Sequence, residues 1–184
     1  MRIILDAMGG DNAPQAPVIG ALQAAKDFGA QIILVGKGEE ILSVMRSQGY
    51  NDLPEGIEIA HADEVVDMHD DPANVIRKKK NSSMVIGLKM LSDGLGDAFV
   101  SAGSTGALLT GATLLVKRVK GIRRAAMGPT MPNKAGGKTV ILDCGANAEC
   151  TPEFLLQFGL VGSIYAQKWL GVENPRIGLL NIGT

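Results

Sequence analysis

The chain has 184 residues, 46% of them hydrophobic, with 18 Lys and Arg against 19 Asp and Glu for a net charge of −1. That length supports a domain with a proper core, that composition excludes disorder, and that charge exerts no overall pull on nucleic acid. Aromatic residues, at 4%, leave no base-stacking platform and a core of Ile, Leu, Val, Ala and Met.

Strand and helix patterns alternate along most of the chain. Ile3 to Leu5 reads as a short buried strand, and Pro14 to Phe28 as a helix with its prolines confined to the first turn and Gly29 at its end. Gln31 to Val35 is a second buried strand, Glu39 to Gln48 a helix closed by Gly49, and Ile57 to Ile59 a weaker strand. Asp71-Pro72 is a cap followed by a first-turn proline; it starts a helix expected to run through Arg77-Lys78-Lys79-Lys80. Another helix runs from Ser82 or Ser83 to about Ser92, Phe99-Val100 is a strand, and Thr105 to Arg118 is a helix rich in small residues. Lys138 to Asp143 reads as a strand, Pro152 to Trp169 as a long apolar helix, and Ile177 to Ile182 as a final strand. This alternation predicts an α/β fold of three layers, with helices on both faces of a mostly parallel sheet. The last strand leads into Gly183-Thr184, where a loop at a strand's carboxyl end would begin. We therefore expect residues 1–184 to be the N-terminal part of a single α/β unit whose second half is absent.

Cys144 and Cys150, the only cysteines, stand six apart, a spacing of no zinc or redox motif. They read as reduced thiols of a cytoplasmic protein. Asp6 interrupts any leader core, and no apolar run reaches the roughly 20 residues that span a bilayer.

The strongest local signal is Ser101-Ala102-Gly103-Ser104-Thr105-Gly106, which follows the Phe99-Val100 strand and opens a helix. Backbone N–H groups and hydroxyls at such a turn attract phosphate; a plain capped turn is the alternative. Ser104 as a covalent nucleophile lacks the G-x-S-x-G elbow, because Ala102 stands two residues before it. Asp6-Ala7-Met8-Gly9-Gly10-Asp11-Asn12-Ala13-Pro14 ends the first strand. Its paired glycines let backbone approach a ligand, Asp11 or Asn12 is placed to cap the helix, and Asp6 and Asp11 can position a hydroxyl, a water or a cation. Lys78-Lys79-Lys80-Asn81-Ser82-Ser83 puts three cations before a helix start, as either an anion site or a solvated charge run. Leu142-Asp143-Cys144-Gly145-Ala146-Asn147 is a further strand end, where Asn147 can bond an oxyanion or a carbonyl. Cys144, with no identifiable base, reads as a buried structural thiol.

Other matches fail. Ala135-Gly136-Gly137-Lys138-Thr139 mimics the end of a Walker A loop but precedes a strand, and its first glycine would fall on Pro132. Gly36-Lys37-Gly38-Glu39-Glu40-Ile41 has Ile41 where a dinucleotide loop has its third glycine. His61 and His69 with Asp63, Asp67, Asp70 and Asp71 fit no defined ligand spacing and read as a polar surface loop.

The four segments above, followed by Asn181-Ile182-Gly183, occur in an order that closely resembles the bacterial phosphate acyltransferases of phospholipid synthesis, over essentially all 184 residues. The resemblance implies transfer of a fatty acyl group from acyl carrier protein to inorganic phosphate. The acyl phosphate formed is then consumed by a membrane glycerol 3-phosphate acyltransferase. It also implies a fold similar to those of isocitrate and isopropylmalate dehydrogenases and phosphate acetyltransferase, a homodimer, and no cofactor or metal. The enzyme would be cytoplasmic and held peripherally at the inner face of the membrane through the half that this chain lacks.

On this reading Lys78, Ser104 and Asn147 are catalytic, while Gly9, Gly10, Ser82, Ser83, Ser101, Gly103 and Thr105 bind phosphate. Asp6, Asp11 and Asp143 orient the donors. Phosphate is itself a nucleophile, so the site need only hold it about 3 Å from the thioester carbonyl and stabilise the oxyanion that forms. Arg118, Lys120, Arg123 and Arg124, the densest remaining basic cluster, are the expected dock for an acidic carrier protein, or else a solvated loop. The competing readings are a short-chain phosphate acetyl- or butyryltransferase using coenzyme A, a non-catalytic anion-binding fragment, and a nicotinamide oxidoreductase.

Overall fold

The computed structural model describes residues 1–181 and Gly183. The chain divides into two compact units, residues 1–117 and residues 118 onward. The first is a parallel sheet of strands β1 (Arg2–Asp6), β2 (Gln31–Gly36), β3 (Ile57–His61) and β4 (Ala98–Val100), in the order β3-β2-β1-β4. Helices α1 (Gln15–Phe28) and α2 (Gly38–Ser47) connect the first three strands, and α3 (Pro72–Lys78) and α4 (Ser83–Ser92) lead to β4.

Strand alternation sends successive side chains to opposite faces. Ile3, Leu5, Ile32, Leu34 and Ile57 therefore pack with Val18, Leu22, Ile41 and Met45 of α1 and α2 on one face. Ile4, Ile33 and Val35 pack with Ile86 and Met90 of α4 on the other. Burial on both faces explains the near-continuous apolar runs of β1 and β2. A further cluster, including Val75, Ile76, Met84, Leu88 and Ala107, joins α3 and α4 to α5 (Thr105–Gly111). The expected three layers about a parallel sheet are thus present.

Local chemistry sets the helix starts. The Asp71 carboxylate accepts from Ala73 N at 3.0 Å, and the hydroxyls of Ser82 and Ser104 accept from Val85 N and Ala107 N, both at 3.4 Å. At α1, neither Asp11 nor Asn12 caps with its side chain: Pro14 occupies the cap position, and the backbone carbonyl of Asn12 accepts from Ala16 N at 2.9 Å. α3 stops at Lys78 and does not run through Lys80. The next helix needs an extended residue at Ser82, and Ser82 donates both its hydroxyl and its N–H to the carbonyl of Lys79, drawing the chain out of the helix. The helix expected over 105–118 is α-helical only to Gly111. A π-helical turn, Ala112–Val116, follows and ends at Lys117, whose φ is +72° and whose N–H bonds Ala112 O.

The second unit holds an antiparallel pair, β5 (Thr130–Pro132) and β6 (Lys138–Val140), and a 19-residue helix, α6 (Pro152–Leu170). The strand expected over Lys138–Asp143 thus ends at Val140, and its partner is its own sequence neighbour and not a parallel strand. The reason is the turn between them: Asn133 Oδ1 accepts from Ala135 N and Gly137 N, and Gly136 takes a φ of +79°, folding the chain back on itself. Thr151 caps α6, with Pro152 in the first turn, and Gly171 ends it in the left-handed conformation. Phe158 is the buried apolar side chain of this unit among the described residues. No strand forms over residues 177–181; a strand needs a ladder partner, and Leu179 and Leu180 lie exposed without one among the described residues. Ile182, where that strand was expected to end, lies outside the described residues. Cys144, expected to be buried, is exposed, as is Cys150, and neither forms a disulfide. Among the described residues no helix is long and apolar enough to cross a membrane.

Two helical glycines differ in what surrounds them. A Cβ on Gly87 of α4 would meet Phe99 Cε2 at 2.3 Å, whereas one on Gly20 of α1 would meet nothing within 4 Å. Gly20→Ala is expected to raise stability by about 0.5–1 kcal/mol through helix propensity. Gly87→Ala is expected to lower it by about 1–2 kcal/mol, because overpacking outweighs that gain. Urea unfolding of the two variants checks both signs.

Candidate functional site

The strand order places a switch point between β1 and β4. From β1 the chain proceeds outward to β2 and β3, then returns to add β4 on the opposite side of β1. In open α/β sheets such a reversal parts the connections and leaves a crevice at the strands' carboxyl ends. Here that crevice is a cleft of about 460 Å³, lined in part by Asp6, Gly9, Gly10 and Asp11 after β1 and by Ser101 and Ala102 after β4.

A side-chain latch joins the two loops. The Ser101 hydroxyl donates to Asp6 Oδ2 at 2.7 Å and accepts from Gly103 N at 3.1 Å, while Asp6 Oδ1 accepts from Met8 N at 3.1 Å. Asp6 is only 2% exposed, so its charge relies on these donors in place of water. Gly9 sits inside the latch: a Cβ there would stand 2.6 Å from Asp6 Oδ2 and 2.9 Å from both Gly103 N and Ser101 Oγ. Gly10, at φ +106°, lies against Ala102. The N–H groups of Gly9, Gly10, Ala102 and Ser104 find no protein acceptor among the described residues.

The other expected site residues of this unit are placed differently. Ser104 is buried and caps α5, and Thr105 is exposed in the first turn of that helix. Ser82 and Ser83 are fully buried at the start of α4, and Met84 brings that helix to the Ser101–Ser104 loop, its Cε 3.5 Å from where a Cβ on Gly103 would be. The basic tract splits. Lys79 Nζ donates to Asp70 Oδ2 at 2.6 Å and to Val65 O at 2.9 Å, and that hydrogen bond holds the Asp70 carboxyl below the usual carboxylate range. Lys78 and Lys80 are exposed. The role of Lys79 as a structural tie, and of Ala102 as the wall behind Gly10, escaped the sequence reading. No spacing signals the first; the second was hidden among the small residues of the 101–106 segment.

Asp143 and Asn147 lie in the second unit and bind each other. Asp143 Oδ2 accepts from Asn147 N at 2.7 Å and Asn147 Nδ2 at 3.0 Å, while Oδ1 accepts from Met127 N at 2.7 Å and Ala146 N at 3.2 Å. Asn147 Nδ2 also donates to Ala125 O at 2.9 Å, so both amide protons of that side chain are engaged. Burial opposes the charge on Asp143, but the donors from Met127, Asn147 and Ala146 outweigh it and hold the carboxyl below its ordinary value of 3.8. Of the basic cluster, Arg123 pairs with Glu153 at 2.9 Å and Arg124 lies over the Phe154 ring at 5.7 Å, tying the 121–124 loop to α6.

Two outcomes follow. Ser101→Ala strips a charge-assisted partner from buried Asp6 and is expected to cost about 1–3 kcal/mol in urea unfolding. A depressed carboxyl contributes stability that is complete above its ordinary value and lost as pH falls through the folded one. The 143–147 turn should therefore hold above pH 3.8 and loosen below it, read from the amide resonances of Ala146 and Asn147, and Asp143→Asn should loosen it at neutral pH.

A family of fatty acid synthesis proteins matches residues 1–184. Phosphate acyltransferases of Bacillus thuringiensis (strain Al Hakam), Bacillus cereus (strain AH187) and Bacillus anthracis (strain A0248) are each 46% identical over 185 aligned positions, covering all of this chain and 54% of theirs. The chain thus spans about half the length of these curated relatives. In fold it is similar to a phosphotransacetylase from Streptococcus pyogenes, with a TM-score of 0.67 at 21% identity over 94% of this chain and 55% of the other. The motif order and the whole-chain match agree: the chain belongs to the family of fatty acid synthesis proteins and bears out its resemblance to the bacterial phosphate acyltransferases.

Proposed function

We propose that the protein to which this chain belongs transfers a fatty acyl group from the thioester of acyl carrier protein to inorganic phosphate, supplying acyl phosphate for phospholipid synthesis. The observation that carries the reading is the Gly9–Gly10 turn, pressed against the Asp6–Ser101–Gly103 latch at the sheet's switch point. Its unengaged N–H groups are donors suited to an oxyanion. The family match and the relatives' names support the same chemistry.

In this mechanism a phosphate oxygen attacks the thioester carbonyl. The carbon–sulfur bond breaks, the thiolate of the carrier leaves, and the acyl–oxygen bond of the acyl phosphate forms. A thiolate leaves readily, so strong general-acid catalysis is not demanded. The unengaged N–H groups of Gly9, Gly10, Ala102 and Ser104 form the phosphate cradle, Ser101 and Gly103 hold its shape through the latch, and Asp11 stands at its rim. Asp6 acts by holding Ser101 and Met8, because its own oxygens accept and do not donate. Ser82, Ser83, Ser104 and Thr105 set the helix starts behind the cradle, and exposed Lys78 supplies positive charge. Asp143 and Asn147 form a separate hydrogen-bonded turn in the second unit, and Asn147 can donate to an oxyanion only by releasing its Nδ2 from Asp143 or Ala125. Residues 1–184 form the N-terminal part of one acyltransferase, a homodimer at the cytoplasmic face of the membrane that passes its product to a glycerol 3-phosphate acyltransferase.

The test is acyl phosphate formation, trapped as a hydroxamate, by the purified full-length protein to which this chain belongs, with palmitoyl-acyl carrier protein and phosphate. Product that depends on both substrates is expected. Product from short coenzyme A thioesters alone would favour the phosphate acetyl- or butyryltransferase, and neither turnover nor phosphate binding would overturn the reading. Gly9→Ala, which displaces the latch, is expected to lower turnover by about 100-fold. Lys78→Ala should raise the Michaelis constant for phosphate more than it lowers turnover.

A further inference from the structure

Four polar side chains line the cleft at the switch point: Asp6, Asp11, Asn12 and Ser101. A developing oxyanion needs a donor, so what each can do there depends on the protons it has to give. Asp6 and Asp11 are carboxylates, which accept hydrogen bonds and do not donate them. The Ser101 hydroxyl has one proton and gives it to Asp6 Oδ2. Asn12 remains. Its amide carries two N–H protons, and its side chain makes no hydrogen bond within the protein among the described residues. That freedom follows from the local sequence. An Asn just before a helix ordinarily spends its side chain as a cap. Here Pro14 holds the cap position of α1, Ala16 N bonds the Asn12 backbone carbonyl at 2.9 Å, and Pro17 has no N–H. The first turn thus leaves a capping side chain nothing to bind at its two usual positions. The Ala16 bond and another from Ala13 N to Gly10 O, at 3.1 Å, also fix the backbone that carries Asn12. The amide therefore stands two residues after Gly10, exposed, on a turn held at both ends.

We infer that Asn12 is a catalytic residue of the acyl transfer, its Nδ2 donating to the thioester carbonyl oxygen as that oxygen takes up negative charge. The inference rests on the acyl transfer proposed above and adds a residue to it. The attacking phosphate oxygen must lie about 3 Å from the carbonyl carbon. A phosphate on the N–H groups of Gly9 and Gly10 therefore sets the carbonyl beside the turn that begins at Gly10. As the phosphate oxygen bonds to carbon, the carbonyl π pair moves onto oxygen, where the Asn12 N–H meets it. When that pair returns, the carbon–sulfur bond breaks and the thiolate leaves; no proton passes through the amide. Such a hydrogen bond strengthens as the charge grows, so it acts on turnover more than on binding of the ground state. Asn12 can make it without first giving up a partner, whereas Asn147 cannot.

Asn12→Ala and Asn12→Asp are made in the full-length protein to which this chain belongs. Acyl phosphate formation from palmitoyl-acyl carrier protein is then followed with phosphate varied. Asn12→Ala is expected to lower turnover by about 10²–10³-fold while the Michaelis constant for phosphate stays within about threefold. Asn12→Asp keeps the shape and removes the donors, and is expected to be at least as slow. Because the side chain holds nothing in place, the urea midpoints of both variants are expected to match that of the unsubstituted protein. Turnover of Asn12→Ala within about threefold of the unsubstituted protein, or a loss expressed wholly in the Michaelis constant for phosphate, would overturn the oxyanion role and leave the cradle standing. A turnover loss that comes with a lowered urea midpoint would also overturn it, by assigning Asn12 to the fold. Absence of acyl phosphate from the unsubstituted protein would remove the acyl-transfer reading, and this inference with it.

Discussion

The hydrogen bond from the Ser101 hydroxyl to the Asp6 carboxylate organises the first unit. Two loops 95 residues apart in sequence are joined by it at 2.7 Å, at the point where the sheet reverses direction. A buried carboxylate is stable only with donors around it, and a strand-to-helix turn is ordered only if something holds it. Each need is met by the other loop. Gly9 is the steric complement: no side chain fits between the two partners, so backbone alone lies beside them. The cradle is thus rigid because its anchor cannot be left unpaired, and open because its inner position has no Cβ.

The same division of labour appears wherever the sequence places serines and basic residues. Ser82 and Ser104 look like ligand groups in a linear reading, yet their hydroxyls accept helix N–H groups and are almost fully buried. Lys79, central in a run of three cations, spends its charge on Asp70 and a backbone carbonyl. What remains facing solvent is Lys78 and Lys80. The residues that build the site and those that would touch a ligand are neighbours in sequence but differ in exposure.

Much of this was legible beforehand. Apolar runs such as Gln31–Val35 and cap-plus-proline starts such as Asp71-Pro72 give clear local signals, and all four strands of the first unit and all six α-helices lie where they were expected, with α3 and α5 ending early. The turns at Asp6–Gly10 and Ser101–Gly103 were legible as candidate sites from their glycines. That they meet was not, because the partner of a strand is a property of topology and not of composition. The antiparallel pair in the second unit was missed for a related reason. Asn133 turns the chain through side-chain bonds to Ala135 and Gly137, a device no hydrophobic period records. The strand expected from Ile177 is absent over residues 177–181 because an apolar run is only half of a strand, and no ladder partner for it stands among the described residues.

Ser82 closes one helix and opens the next with a single hydroxyl, donating to Lys79 O at the end of α3 and accepting from Val85 N inside α4. Fraying α3 would leave that hydroxyl without its acceptor, and fraying α4 would leave it without its donor. Stepwise melting at this corner is therefore unfavourable from either side. The two helices open together, and their amide protons belong to one cooperative exchange unit.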